Sequence, residues 1–176
     1  MKHATFALLA AAVIILHLPA AEAEDSPKVQ LSEHLKAFER VLGTWELSAE
    51  NEKGVKVTMR WVFQATTGGN VVTGVRSGAR SASSIFYYDP ELRKVVCVSV
   101  LDSGHVVKTI YTKEMLEKDE YSALSYFTTP DGKQATSIEH IRWIGKDQIA
   151  WNRTDIFVEG EKRRPESPET IMNRVK

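Results

Sequence analysis

The chain has a single cysteine, Cys97, and its charges balance, with 23 basic and 23 acidic side chains in 176 residues. One thiol excludes an intramolecular disulfide. A neutral chain leaves no electrostatic footprint for nucleic acid or an anionic membrane surface, so neither is an expected partner. The sequence also lacks a Gly-x-Ser-x-Gly elbow, a Gly-rich phosphate loop and any His/Cys spacing suited to zinc. The glycines at 68, 69 and 74 read as turn and strand residues, and the serines at 77, 81, 83 and 84 as a solvated loop. Nothing local activates Cys97, which sits in Val95-Val96-Cys97-Val98 and reads as a small buried hydrophobe.

Long apolar runs are absent too, except for Phe6–Leu16, which is short for a bilayer span. Lys2 and His3 precede that run, Pro19 breaks it, and Ala21-Glu22-Ala23 supplies a small-x-small cleavage site. This is the anatomy of a secretory signal peptide over residues 1–23, with a mature chain starting at Glu24. The removed piece carries one Lys and one Glu, so the mature chain stays neutral. No Cys lies near the cleavage site to carry a lipid. The expected product is periplasmic or secreted, with no stable membrane insertion, and its length suits one domain.

What the chain does have is alternation. Residues 24–31 read as a flexible leader, and 32–176 as a single domain. Leu31, Leu35, Phe38 and Leu42 recur at helical spacing, with Ser32 as N-cap, Glu33 in the first turn, Arg40 in the last and Gly43 as the stop. This predicts an amphipathic α-helix over 32–42 that lies against the end of a sheet. From Gly43 the period falls to two. Val55, Val57, Met59, Trp61 and Phe63 alternate with Lys56, Thr58, Arg60 and other wetter residues. Similar runs cover 71–76, 84–88, 95–101, 105–112, 121–128, 135–144, 149–158 and 169–175. Asp89-Pro90, Asp102-Ser103-Gly104, Pro130-Asp131-Gly132 and Gly145-Lys146-Asp147 punctuate them. The prediction is an all-β antiparallel meander closed into a barrel of about eight to ten strands, because closure removes exposed edges.

A helix followed by Gly43-Thr44-Trp45 at the start of the first strand resembles the lipocalin/calycin group. The resemblance implies that Trp45 plugs one end of the barrel and that Arg174, in the last strand, packs over its indole. The stretch 33–175 also resembles a group of uncharacterised exported bacterial proteins with a lipocalin-like domain. It does so through His34-Leu35-Lys36, Gly43-Thr44-Trp45, Tyr88-Asp89-Pro90, Asp102-Ser103-Gly104 and Pro130-Asp131-Gly132. That likeness implies a fold and an exported location, and no reaction.

Three functions compete, in this order. A binding barrel would hold a small, partly apolar or amphipathic molecule, drawing on Trp61, Arg76, Tyr87, Trp151, Arg153 and Asp155, with Trp143 also within a strand. A structural or interaction barrel of the cell envelope would be filled by its own side chains. A barrel isomerase or hydrolase would use Glu139 or Asp155 as general base, with His140 as a possible partner. Strand alternation puts Trp151, Arg153 and Asp155 on one face, but it does not say which face is inside. For Arg60, Arg76, Tyr87, Tyr126 and Glu139 the plainer reading is the wet outer side. No cofactor is expected; haem, which needs one proximal His, would have to use His140. Asn152-Arg153-Thr154 is a chance sequon, and oligomeric state is open. N-terminal sequencing of the exported protein is expected to begin Glu-Asp-Ser-Pro, at Glu24; an intact Met1 or a membrane-integrated product contradicts cleavage.

Overall fold

The structure, a computed structural model, describes residues 29–50, 55–66, 68–162 and 169–175. The expected signal peptide and most of the leader lie outside the described residues. Eleven strands form one antiparallel sheet: β1 (Gly43–Glu50), β2 (Lys56–Ala65), β3 (Val71–Gly78), β4 (Ala82–Asp89), β5 (Lys94–Leu101), β6 (Val106–Tyr111), β7 (Glu120–Thr128), β8 (Gln134–Ile144), β9 (Gln148–Val158), β10 (Glu161–Lys162) and β11 (Thr170–Arg174). β1 to β9 pair in sequence order, and β11 inserts between β9 and β1. The result is a closed barrel of ten strands, with β10 as an extra two-residue strand on the end of β9. The charged connection after β6 contains one short helix, α1 (Lys113–Leu116), capped by Thr112 Oγ1, which accepts from Met115 N–H.

Register fixes the inside face. Val72, Phe86, Cys97, Thr109, Ser125 and Ser137 lie abreast on β3 to β8, and all six are buried. Trp45, Trp61 and Arg76 lie abreast on β1 to β3 on the same side. Residues one step away along these strands, such as Val75, Ile85, Val100 and Leu124, are exposed despite being apolar.

The segment before β1 differs from expectation. It is a 3-10 helix over Glu33–Arg40, and Ser32 makes no side-chain cap. Leu35 N–H donates to Ser32 O at 2.9 Å and Val41 N–H to Phe38 O at 2.9 Å. Eight residues is long for this winding, which rises about 2.0 Å per residue instead of about 1.5 Å. The same residues therefore cross about 16 Å of barrel end, where an α-helix would cross about 12 Å. Both ends of the helix are pinned. Ser32 N–H donates to Gly69 O at 2.9 Å, and a Cβ on Gly69 would lie 2.0 Å from the Gln30 carbonyl oxygen. Leu35 and Phe38, one three-residue turn apart, are buried against Val72, Phe86, Val95 and Tyr111. Gly43 does not end the helix; it opens β1 at φ +112°.

The seal itself is built on Trp45, which has no exposed surface. Its Nε1–H donates to Val41 O at 2.7 Å, and the Arg174 guanidinium lies 4.2 Å over its ring. Arg174 Nη1 and Nη2 donate to the Leu42 and Arg40 carbonyls, each at 2.6 Å. The Trp143 ring meets Trp45 edge-on at 5.8 Å. Arg40 lies 4.3 Å over Trp143 and donates to the Leu116 and Lys118 carbonyls. Arg40 thus ties the helix to the α1–β7 connection. Arg174→Ala removes the bonds to the Leu42, Arg40 and Lys146 carbonyls, the ion pair with Asp147 and a stacked cation, and should destabilise the domain by about 2–4 kcal/mol. Arg174→Lys, which keeps the charge without the planar fork, should recover less than half of that. Urea denaturation monitored by tryptophan emission measures both variants; equal stability to the parent would remove Arg174 from the seal.

Candidate functional site

The two ends of the barrel are packed differently. At the helix end, Leu35, Trp45 and Val72 have no exposed surface. Toward the other end, the inward residues Val107, Phe127 and Ala135 form a separate buried cluster, while Arg76, Trp151 and Arg153 keep partial exposure. Among the described residues, β11 pairs with β1 at Trp45 and Glu46 and with β9 from Gln148 to Trp151.

The polar side chains of this half come from three strands, β3, β8 and β9, and the aromatic ones beside them from β2, β7 and β9. Arg153 on β9 sits opposite Glu139 on β8 and forms an ion pair with it through Nη2 and Oε1. The Glu139 side chain is 11% exposed and that of Arg153 22%, so the pair is largely withdrawn from water. The Arg153 guanidinium also lies 4.6 Å over Phe127 and 5.4 Å over Trp151. Arg76, on β3, lies 5.8 Å from the Trp61 ring and donates from Nε to Arg80 O at 3.1 Å. Its Nη2 is buried with no hydrogen-bond partner. Burial pushes the Arg76 pKa below its ordinary value, Asp102 opposes the shift, and the charges of Arg80 and Arg153 add to it. The two inward guanidiniums therefore act on each other through the interior.

Below them runs a collar of small polar groups. Ser84 and Ser99 hydroxyls pair at 2.7 Å, and Thr109 and Ser125 at 2.7 Å. Ser137 Oγ is buried without a partner. Cys97 joins the collar through Ser99 at 3.5 Å. Among the described residues, no three His, Cys, Asp or Glu side chains gather where they could hold a metal ion.

The expected lining set divides. Trp61, Arg76, Trp151 and Arg153 turn inward. Tyr87 does not: it pairs with Val71 and Val96, one step away from the inward row through Phe86. Asp155 leaves the face of Arg153 because β8 and β9 shift register between Thr136 and Ile138. At that irregularity Asp155 takes φ +48° and is exposed, accepting from Lys162 Nζ at 3.3 Å. Arg76 and Glu139, read from sequence as outward, face in, whereas Arg60 and Tyr126 stay on the exposed outer side. Strict alternation was unable to place these residues because both faces of the wall carry apolar side chains.

His140 follows Glu139 along an extended strand and so points the opposite way, to the outer surface. Its Nδ1 pairs with Ser122 Oγ at 2.7 Å and its Nε2 with Thr154 Oγ1 at 2.9 Å. A Glu139–His140 acid–base pair is therefore not formed. Haem inside the barrel would need the ring turned through the wall and both hydroxyl bonds broken, so His140 does not fit that role. Phe127, which stacks on Arg153, and the serine collar were missed by sequence reasoning. Their one sequence signal is the in-strand period of two shared by Ala123, Ser125 and Phe127.

No known family profile matches the chain, and no curated protein does. Among solved structures it is similar to Rv2717c from M. tuberculosis, at 15% identity with a TM-score of 0.58. The match covers 84% of this chain and all of that one. At that identity the likeness supports the barrel fold and nothing finer.

Cys97 is fully enclosed, and burial pushes its thiol up to about 12. Burial likewise raises the Tyr121 phenol to about 12. The native thiol should resist disulfide-exchange reagents at pH 8 and react only after denaturation. The unfolded thiol loses its proton near its ordinary 9.0 while the folded one keeps it toward 12. Folding stability should therefore fall as pH rises through that window, the loss being complete only above the folded value. Rapid labelling of native protein at pH 8 would contradict this.

Proposed function

We propose that the chain is an exported, lipocalin-like binding barrel that takes a small, partly apolar molecule through its open end. The observation that carries the reading is the contrast within one interior. Trp45 and Leu35 are fully buried at the helix end, while Trp61, Trp151 and Arg153, also turned inward, remain partly exposed. A barrel packed solid as a structural element has little use for inward arginines that keep partial exposure. The few polar groups among aromatic walls suit an amphipathic ligand: stacking area from Trp61, Trp151 and Phe127, orientation from the arginines. Export rests on the Phe6–Leu16 run and the Ala21-Glu22-Ala23 site.

A general-base role for Glu139 has two features against it. Its carboxylate is engaged by Arg153, and its neighbour His140 faces the other side of the wall. Asp155, the other carboxylate considered, is exposed and held by Lys162.

Native mass spectrometry of protein purified from its own host tests the binding reading. A non-covalent adduct of defined mass, lost when a bulky side chain enters the interior in Ser84→Trp, is expected. A bare mass, together with no binding of any probe from an aromatic and acyl panel, would end it.

A further inference from the structure

We infer that the ligand is an anion, a carboxylate on an aromatic or apolar body, and that Arg76 is the group that selects it. This rests on the binding reading and names the chemistry of the same site. Among the described strand residues turned into the open half, two are cationic, Arg76 and Arg153, and one is anionic, Glu139. Glu139 is used by Arg153. Arg76 has no carboxylate in contact: its Nε bonds to a neutral carbonyl, and its Nη2 is buried without a partner. The opposing charge that acts on it, Asp102, sits on the exposed β5–β6 turn, where its Oδ2 accepts from Ser81 N–H at 2.7 Å.

A buried guanidinium N–H left unmade costs more than a made bond returns, so such groups are kept satisfied unless something arrives to satisfy them. Arg76 bears that cost next to two further cations, Arg80 and Arg153, which raise the local potential. An anion entering from the open end meets all three effects at once. It supplies the missing acceptor, offsets the surplus charge and gains from the low dielectric around a half-buried site. A planar carboxylate matches the guanidinium fork. Trp61, beside Arg76, and Trp151, beside Arg153, offer faces for a flat apolar body attached to it. A cationic ligand would face repulsion at the same place, and a neutral one would leave the charge unanswered.

The test compares two probes of one shape, 2-naphthoate and its neutral amide, 2-naphthamide, by isothermal titration calorimetry on the mature chain at pH 7. The parent should bind naphthoate about tenfold more tightly than the amide, the scale of one charge-assisted contact. Arg76→Gln should bring the two to near parity by weakening naphthoate alone. Glu139→Gln should move the other way, tightening naphthoate and not the amide, because it releases Arg153 from its internal carboxylate. Equal binding of both probes by the parent would overturn anion selection and leave the binding barrel standing. Equal losses of both probes in Arg76→Gln would show a structural role for Arg76 and overturn the inference. If neither probe binds the parent, this inference fails together with the reading beneath it.

Discussion

The rest of the structure depends on how Trp45 is held. A ten-stranded wall has two open ends, and this sequence closes one of them with a stack of alternating cations and indoles. Arg174 covers Trp45, Trp45 meets Trp143, and Arg40 covers Trp143. Each layer is contributed by a different part of the chain: the last strand, the first strand, β8 and the helix. Arg174 and Arg40 both end on backbone carbonyls, those of residues 40 and 42 for the first and 116 and 118 for the second. The seal therefore fastens the helix, the β11 closure and the α1 connection in one place. The short β11 ladder, four residue pairs on β9 and two on β1, is held closed at its far end by this stack as much as by its own hydrogen bonds.

Sealing one end decides what the other can be. Apolar residues from the helix, Leu35 and Phe38, fill the interior at their end, while Val107, Phe127 and Ala135 form a smaller separate cluster beside the inward arginine Arg153. The ladder geometry reinforces the asymmetry. β9 gives its outer edge to β11 over its first half and to β10 only at Phe157 and Val158. Between them the register shift places Asp155 outside the wall while Arg153 stays within it. One irregularity thus lets a single strand present an arginine to the lumen and an aspartate to solvent within three residues.

Much of this was legible in the sequence. The period of two from Val55 to Phe63, the turn clusters and the single apolar helix face identify an all-β barrel with one capped end. The resemblance carried by Gly43-Thr44-Trp45 implied that Arg174 covers Trp45, and the guanidinium lies over that ring. Two kinds of information were not legible. The first is winding: the apolar spacing of Leu31, Leu35, Phe38 and Leu42 fits an α-helix, whereas the span to be covered and the pins at Ser32 and Arg40 select a tighter turn. The second is facing. Alternation names two sets of residues per strand without naming the inner one, and here the outer set includes Val75, Ile85 and Val100. Arg76 and Glu139 looked like solvated positions for that reason. The irregularity at Asp155 has no glycine or proline to announce it.

The interior ion pair bears on what such a barrel can do. Replacing a buried pair by well-packed apolar residues is often neutral or stabilising, so the Glu139–Arg153 pair is weak evidence for stability as its purpose. What the pair does accomplish is to position a guanidinium beside Phe127 and Trp151. Arg153 is thereby held in place and partly neutralised, while Arg76 is held in place by a carbonyl and left charged. The two cations are not equivalent. One is a fixed part of the wall, with its counter-charge built in. The other has a buried N–H with no acceptor among the described residues and no carboxylate in contact, and that difference in counter-charge gives the interior a polar pole at which the proposed ligand would be oriented.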